Sequence, residues 1–246
     1  MDKLIYTAMT GASHTMQQQA AVSQNLANTN TPGFRALVNN FRAVPVEGEG
    51  LKTRAFVVDS TAGADYSTGV LEATQRPLDI AVDGDGWIAV QARDGREAYT
   101  RNGSMQIAPS GLLQTRTGLS VLGDGGPITI PPDSRVQIAE DGTVTATPLG
   151  AGADAAVVVD RIKLVNPQQN MLVRGDDALF RRSDGKPAAA EAEVKVKSGY
   201  LESSNVNAVE AMVNMISLAR QFEMQMKVLT TADSDARQAS KILSSG

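Results

Sequence analysis

Residues 205–243 read NVNAVEAMVNMISLARQFEMQMKVLTTADSDARQASKIL, and this stretch constrains the fold more than any other. Met212, Met215, Ala219, Phe222, Met226 and Leu229 recur in alternating steps of three and four, the spacing of a coiled-coil seam. Val209, Val213 and Ile216 add a second apolar stripe beside the first, so the helix has more than one side to bury. Asn207 with Glu210 forms a capping-box pattern at its start. Glu223 with Lys227, and Asp233 with Arg237, are opposite charges four apart. About 38 residues at ~1.5 Å each make a rod of roughly 55–60 Å. A small domain cannot support that length by itself, so the segment requires a helical partner. The candidate partner lies at the other end of the chain.

Between residues 4 and 34 there is no Asp, Glu, Lys or Arg. Leu4, Ile5, Ala8, Met9, Ala12, Met16, Ala20 and Leu26 carry helical periodicity, with Gln, Ser, Thr and Asn between them. An exposed helix of a soluble protein keeps charge on its wet side, and this one has none. Two readings follow: a weakly stable, partly disordered end, or a helix surrounded by protein, where neutral polar groups are less costly to bury than charges. Thr29-Asn30-Thr31-Pro32-Gly33 then ends it, since Pro removes a donor and Gly permits the turn.

The segment between these ends has a different texture. Phe41, Val44, Val46, Phe56 and Val57 suggest extended segments around a Glu47-Gly48-Glu49-Gly50 loop. From Gly69 onward, short alternating runs are punctuated by Asp83-Gly84-Asp85-Gly86, Arg93-Asp94-Gly95-Arg96, Ser110-Gly111, Thr117-Gly118, Gly123-Asp124-Gly125-Gly126 and Asp141-Gly142. Turns at such intervals predict hairpins in an antiparallel β-domain rather than βαβ units. Residues 150–156 read as a flexible break, 157–165 as a strand, 172–182 as a turn and strand, and 194–197 as the return toward the last helix. The expected fold is α+β: long N- and C-terminal helices pairing as a coiled coil around a central antiparallel β-rich domain. The expected divisions are a helix at 1–34, an extended linker at 35–68, the β-domain at 69–199 and a helix at 200–246.

Composition excludes several functions. The chain of 246 residues carries net charge -4 and has no basic run interleaved with aromatics, so nucleic acid is not an expected partner. It has no Cys, which fits either a reducing compartment or an exported protein. The N-terminus lacks the apolar core of a secretory signal, and no run is long and apolar enough to span a membrane. His14 is the only His; with no Cys either, a catalytic triad or His-rich metal site is not expected, and His14 reads as an interface or surface residue. Asp83-Gly84-Asp85-Gly86 lacks the ligand ladder of a calcium loop and reads as a hairpin turn. Gly123-Asp124-Gly125-Gly126 has no Lys-Ser/Thr after it, as a phosphate loop would. Asp79, Asp83, Asp141 and Asp176 sit mostly in turn-like contexts. No catalytic, cofactor-binding or metal-binding residue is assigned.

Four motifs, taken together, resemble the bacterial flagellar rod–hook family of axial proteins. Gln24-Asn25-Leu26-Ala27-Asn28-Thr29-Asn30-Thr31-Pro32-Gly33-Phe34-Arg35 is similar to that family's N-terminal signature. Residues 76–87, RPLDIAVDGDGW, resemble its first core β-hairpin, and Tyr99-Thr100-Arg101-Asn102-Gly103-Ser104 the neighbouring one. Gly199-Tyr200-Leu201-Glu202-Ser203-Ser204-Asn205-Val206-Asn207, followed by Met212-Val213-Asn214-Met215-Ile216, is similar to the C-terminal signature. One departure is Ile88 after Trp87, where the family often has a second aromatic.

The resemblance implies a structural axial subunit of the flagellar basal body, most like the proximal-rod members, with distal-rod or hook-type members as the alternative. It implies export through the flagellar apparatus without a cleaved signal peptide, and a place in the periplasmic rod. The implied partners are other proximal and distal rod subunits and copies of the chain itself, with no small-molecule substrate. Residues expected at the assembly interface are Ile5, Met9, Ala12, Met16 and Leu26 in the first helix, and Asn28, Pro32 and Phe34 at its end. Asn205, Val209, Met212, Met215, Ile216, Ala219, Phe222, Met226 and Leu229 are the counterparts in the last helix. A different class of function keeps the β-domain as a periplasmic glycan- or peptide-binding module dimerised by a simple coiled coil. The charge-free N-terminal stretch argues against it, because a dimer of the last helix needs no such partner.

Overall fold

The computed structural model describes residues 2–45, 55–150 and 155–244. They form two compact units. One comprises Met1–Asn28, Leu37–Asp65 and Val206–Gly246; the other Thr29–Ala36 and Tyr66–Asn205.

The first unit is built on helices α1, Asp2–Ala27, and α2, Ala208–Ser244, which pack against each other. Asn207 caps α2, its Oδ1 accepting from the amides of Val209 at 3.0 Å and Glu210 at 3.3 Å. Among the described residues of α2, Ala211, Met215, Leu218, Phe222, Gln225, Leu229, Ala232 and Ala236 are buried or half-buried in alternating steps of four and three, with Ala208 and Ala219 half-buried beside them. On α1 the same alternation runs through Ile5, Ala8, Ala12, Thr15, Gln19, Val22 and Leu26. The coiled-coil period is therefore present on both helices, but the α2 seam is displaced from the expected one. Met215, Phe222 and Leu229 lie on it and Ala219 is half-buried beside it; Met212 and Met226 are exposed, and their neighbours Ala211 and Gln225 take the inner places. A 3.5-residue period fits two adjacent stripes, and the structure buries the one that carries Ala211 and Ala232. The long methionines are left on the flank.

A hairpin of Leu37–Pro45 and Ala55–Ala64 completes this unit, antiparallel from Leu37 opposite Ala64 to Pro45 opposite Ala55. It packs along α1. Asn25 ties its first residue: the Leu37 amide donates to Asn25 Oδ1 at 2.7 Å, and Asn25 Nδ2 donates to Leu37 O at 3.0 Å. One side-chain amide thus makes the two bonds that a neighbouring strand would make. The loop expected at 47–50, and part of the break expected at 150–156, fall outside the described residues.

The second unit contains the hydrophobic core, with Ile80, Ile88, Val90, Met105, Leu113 and Val121 among its fully enclosed side chains. Its main antiparallel sheet runs, in spatial order, through Leu172–Arg174, Phe180–Arg182, Glu97–Thr100, Trp87–Gln91, Ser120–Gly123, Leu113–Thr115 and Met105–Ile107. Trp87, Ile88, Ala89 and Val90 are all buried, which explains an unbroken apolar run where a half-exposed strand would alternate. The turns at Arg93-Asp94-Gly95-Arg96, Ser110-Gly111, Thr117-Gly118 and Asp141-Gly142 each join strands that pair with one another. So does Gly123-Asp124-Gly125-Gly126, with Gly126 opposite Gly123.

Two expectations are corrected. Asp83-Gly84-Asp85-Gly86 is not a hairpin turn, because Ile80–Asp83 pairs with Lys195–Ser198 while Trp87–Gln91 pairs with Glu97–Thr100. The motif carries the chain from one strand pairing to another, with Gly84 at φ 77° and Gly86 at φ 134°, angles that L side chains rarely adopt. The single strand expected at 157–165 is two: Val157–Arg161 joins Thr143–Pro148, and Leu164–Val165 joins Trp87–Gln91. Among the described residues no helix is long and apolar enough to cross a membrane, and no three acidic or His side chains gather as a metal site.

Candidate assembly surface and buried junction

The two signature segments from opposite ends of the sequence meet inside the β unit. The Gly33 amide donates to Glu202 O at 2.7 Å, the Ala36 amide to Asn205 Oδ1 at 2.7 Å, and the Asn205 amide to Phe34 O at 3.3 Å. Asn205 Nδ2 also reaches Ser67 O at 3.1 Å. Beneath these bonds lies an ion pair, Arg35 Nη1 to Glu202 Oε1 at 2.6 Å, with both residues 1% exposed. The Gly69 amide donates to the same Oε1 at 2.8 Å, and Arg101 Nη1 stands 3.3 Å from Oε2. Arg101 is fastened further by donation to Val82 O at 3.2 Å and Gly84 O at 2.6 Å.

Two buried guanidinium groups thus share one carboxylate. Burial pulls Arg101 below the ordinary arginine value, and Glu202 opposes that shift. Among the described residues Arg35 Nε and Nη2 and Arg101 Nε have no hydrogen-bond acceptor, but Trp87 lies beside both guanidinium groups, its ring centroid 6.0 Å from Arg35 and 5.7 Å from Arg101. Its π face offers partial compensation for the missing acceptors. Trp87 is held in turn by Phe180 at 4.5 Å between centroids. Arg174 Nη1 donates to Arg35 O at 2.7 Å while its guanidinium covers Phe34 at 4.5 Å.

Gly33 has a strict role here. Its φ is +67°, and a Cβ would overlap the backbone carbonyl of Arg101. Gly33→Ala combines left-handed strain with a backbone collision and is expected to destabilise the β unit by at least ~2 kcal/mol. The urea midpoint followed by fluorescence of Trp87, the one Trp in the chain, measures the loss.

The residues expected at an assembly interface divide between the units. In the helical unit, Ala12 is buried between elements, and Ile5, Leu26, Asn28, Met215, Ala219, Phe222 and Leu229 are half-buried. Met9, Met16, Val209, Met212, Ile216 and Met226 are exposed, Val209 at 71%. Val213 and Met224 are exposed with them. His14 is half-buried, with Nδ1 3.3 Å from Gln17 Oε1. Pro32, Phe34 and Asn205 belong to the β unit, where Phe34 is buried under Arg174. The junction residues Arg35, Arg101, Arg174 and Glu202, and the strand-tying Asn25, were missed by pattern reasoning. The available cue was the placement of Arg35 as the first charge after 31 residues without one.

Comparison with known proteins decides what these features belong to. Family models match at residues 5–35 (flagella basal body rod protein), 81–146 (flagellar hook protein FlgE/F/G D1 domain) and 197–242 (flagellar basal body rod FlgEFG protein C-terminal). The flagellar basal-body rod protein FlgF of Salmonella typhimurium is 50% identical over 250 residues, covering 99% of each chain. The chain belongs to the FlgF family of flagellar basal-body rod proteins. The Escherichia coli FlgF is likewise 50% identical over 99% of each chain. A FlgG from Buchnera aphidicola subsp. Baizongia pistaciae is 31% identical, over 93% of this chain and 95% of its own. The rod subunit is a structural protein and not an enzyme. The family matches fall on the segments described above: those at 5–35 and 197–242 contain most of α1, most of α2 and both halves of the Arg35–Glu202 junction.

Proposed function

We propose that the subunit assembles in the proximal rod through the flanks of α1 and α2, with copies of itself and with other proximal and distal rod proteins, and that the resulting shaft transmits torque. One observation carries this reading. The helix pair fully buries Ala12, Thr15, Ala211 and Ala232, while Met9, Met16, Val209, Met212, Val213 and Ile216 stay in solvent. Apolar groups at this density are unusual on a monomer surface. Covering them with like helices would release roughly 1.5–3 kcal/mol per large side chain, enough to offset the ordering of long terminal segments.

In this reading the helices form the inner tube and the β unit faces outward. The chain reaches the periplasm through the flagellar export apparatus, unfolded and without a cleaved signal. Stiffness comes from many small contacts shared between subunits. Load enters each helix from a segment that the β unit pins, residues 29–36 on one side and 199–205 on the other.

Ile216→Asp tests the surface without touching the fold. Ile216 is 56% exposed, so the purified variant is expected to melt within ~0.5 kcal/mol of the wild type. Expressed in cells lacking the native copy, it is expected to give no completed rods and no swimming. Basal bodies purified at wild-type yield from such cells would overturn the proposal.

A further inference from the structure

We propose that Gln225, acting with Thr15 and Gly11, sets the register of α1 against α2 and keeps other helices out of that seam. The inference rests on the observed helix pair; it deepens the assembly reading but does not require it. The α2 seam is apolar at Ala211, Met215, Leu218, Phe222, Leu229 and Ala232, and is interrupted by the carboxamide of Gln225. Opposite it, Thr15 is 4% exposed. Thr15 Oγ1 donates to Gly11 O at 2.9 Å and lies 3.4 Å from Gln225 Oε1. A Cβ at Gly11 would stand 3.1 Å from Gln225 Nε2. The carboxamide therefore rests on a turn of α1 that is bare because residue 11 has no side chain.

Seams rich in Ala and Leu are degenerate along their length, because a slip of one heptad, about 10.5 Å, sets small apolar groups against small apolar groups again. The polar layer removes that degeneracy. Slipping α1 by seven residues in either direction brings Ala8 or Val22 to the place of Thr15, and Leu4 or Gln18 to the place of Gly11. The Gln225 amide then loses its polar contact with Thr15 and meets a side chain where it now has bare backbone. Losing the polar contact of this half-buried amide disfavours the slipped register by roughly two- to ten-fold. A single polar residue in a seam fixes register in coiled coils by the same physics. Gly11 is the only glycine in α1, which otherwise has residues better suited to a helix interior.

Two variants of the full-length chain test this. Gln225→Leu makes the α2 side of the seam uniformly apolar; sedimentation velocity is expected to show self-association at a concentration at least ~3-fold below that of the wild type, with no loss of helix signal. Gly11→Ala is the sharper test, since propensity and packing have opposite signs. Helix propensity alone predicts a higher melting temperature at 222 nm, whereas a Cβ under the Gln225 amide predicts a lower one. A Gln225→Leu chain that associates no more readily than wild type overturns the proposal, and so does a Gly11→Ala chain that melts higher. Both readouts use the purified chain, so they can fail while the rod reading stands, and the reverse.

Discussion

Glu202→Gln is expected to lower the stability of the β unit by about 3–5 kcal/mol, the cost of stranding a buried charge. The substitution keeps the shape of the side chain but leaves Arg35 and Arg101, 1% and 3% exposed, with no carboxylate between them. Neither arginine can escape by losing its proton, and neither can turn to solvent without dismantling the bonds to Phe34 and Asn205 around it. A loss of this size is a large part of the 5–15 kcal/mol that holds an ordinary domain together. In thermal unfolding followed by Trp87 it amounts to a midpoint lower by about 10 °C. Removing Arg35 as well, as Arg35→Met/Glu202→Gln, is expected to cost less than the sum of the single changes, because the two side chains share one interaction. The remainder belongs to Arg101. A Glu202→Gln protein that unfolds at the wild-type midpoint would show that the pair adds nothing to stability.

The second large effect is in the helical unit. Phe222 is the half-buried aromatic of the α2 seam, one turn before Gln225. Phe222→Asp removes that ring and places a carboxylate among apolar groups, at a cost of about 2–4 kcal/mol to the helix pair. The β unit has its own core at Ile80, Ile88, Val90 and Leu113 and is expected to remain folded. The two outcomes separate optically: ellipticity at 222 nm reports mainly α1 and α2, while Trp87 reports the β unit alone. The expected variant shows diminished helix signal, an unchanged Trp87 transition and no incorporation into rods. Rods at wild-type yield would remove Phe222 from the assembly, and a shifted Trp87 transition would show that the two units do not fold independently.

The sequence by itself determined the two long helices, their heptad spacing and the antiparallel character of the middle. These are local properties: a period of three and four, or a glycine-containing turn every ten residues or so, is written in consecutive residues. The family was legible for the same reason, since its motifs are contiguous. Which stripe of α2 faces α1 required the tertiary structure. Met212 and Ala211 are adjacent and hydrophobicity favours the methionine, yet it is Ala211 that is buried and Met212 that is exposed. Strand partnership at Asp83-Gly84-Asp85-Gly86 was likewise beyond reach, because a sharp turn specifies a change of direction but not who pairs after it. The junction is the clearest case. Arg35 and Glu202 are 167 positions apart, each unremarkable in its own segment. Each can be buried only because the fold brings the other within 2.6 Å, a condition of three-dimensional distance that no local pattern carries.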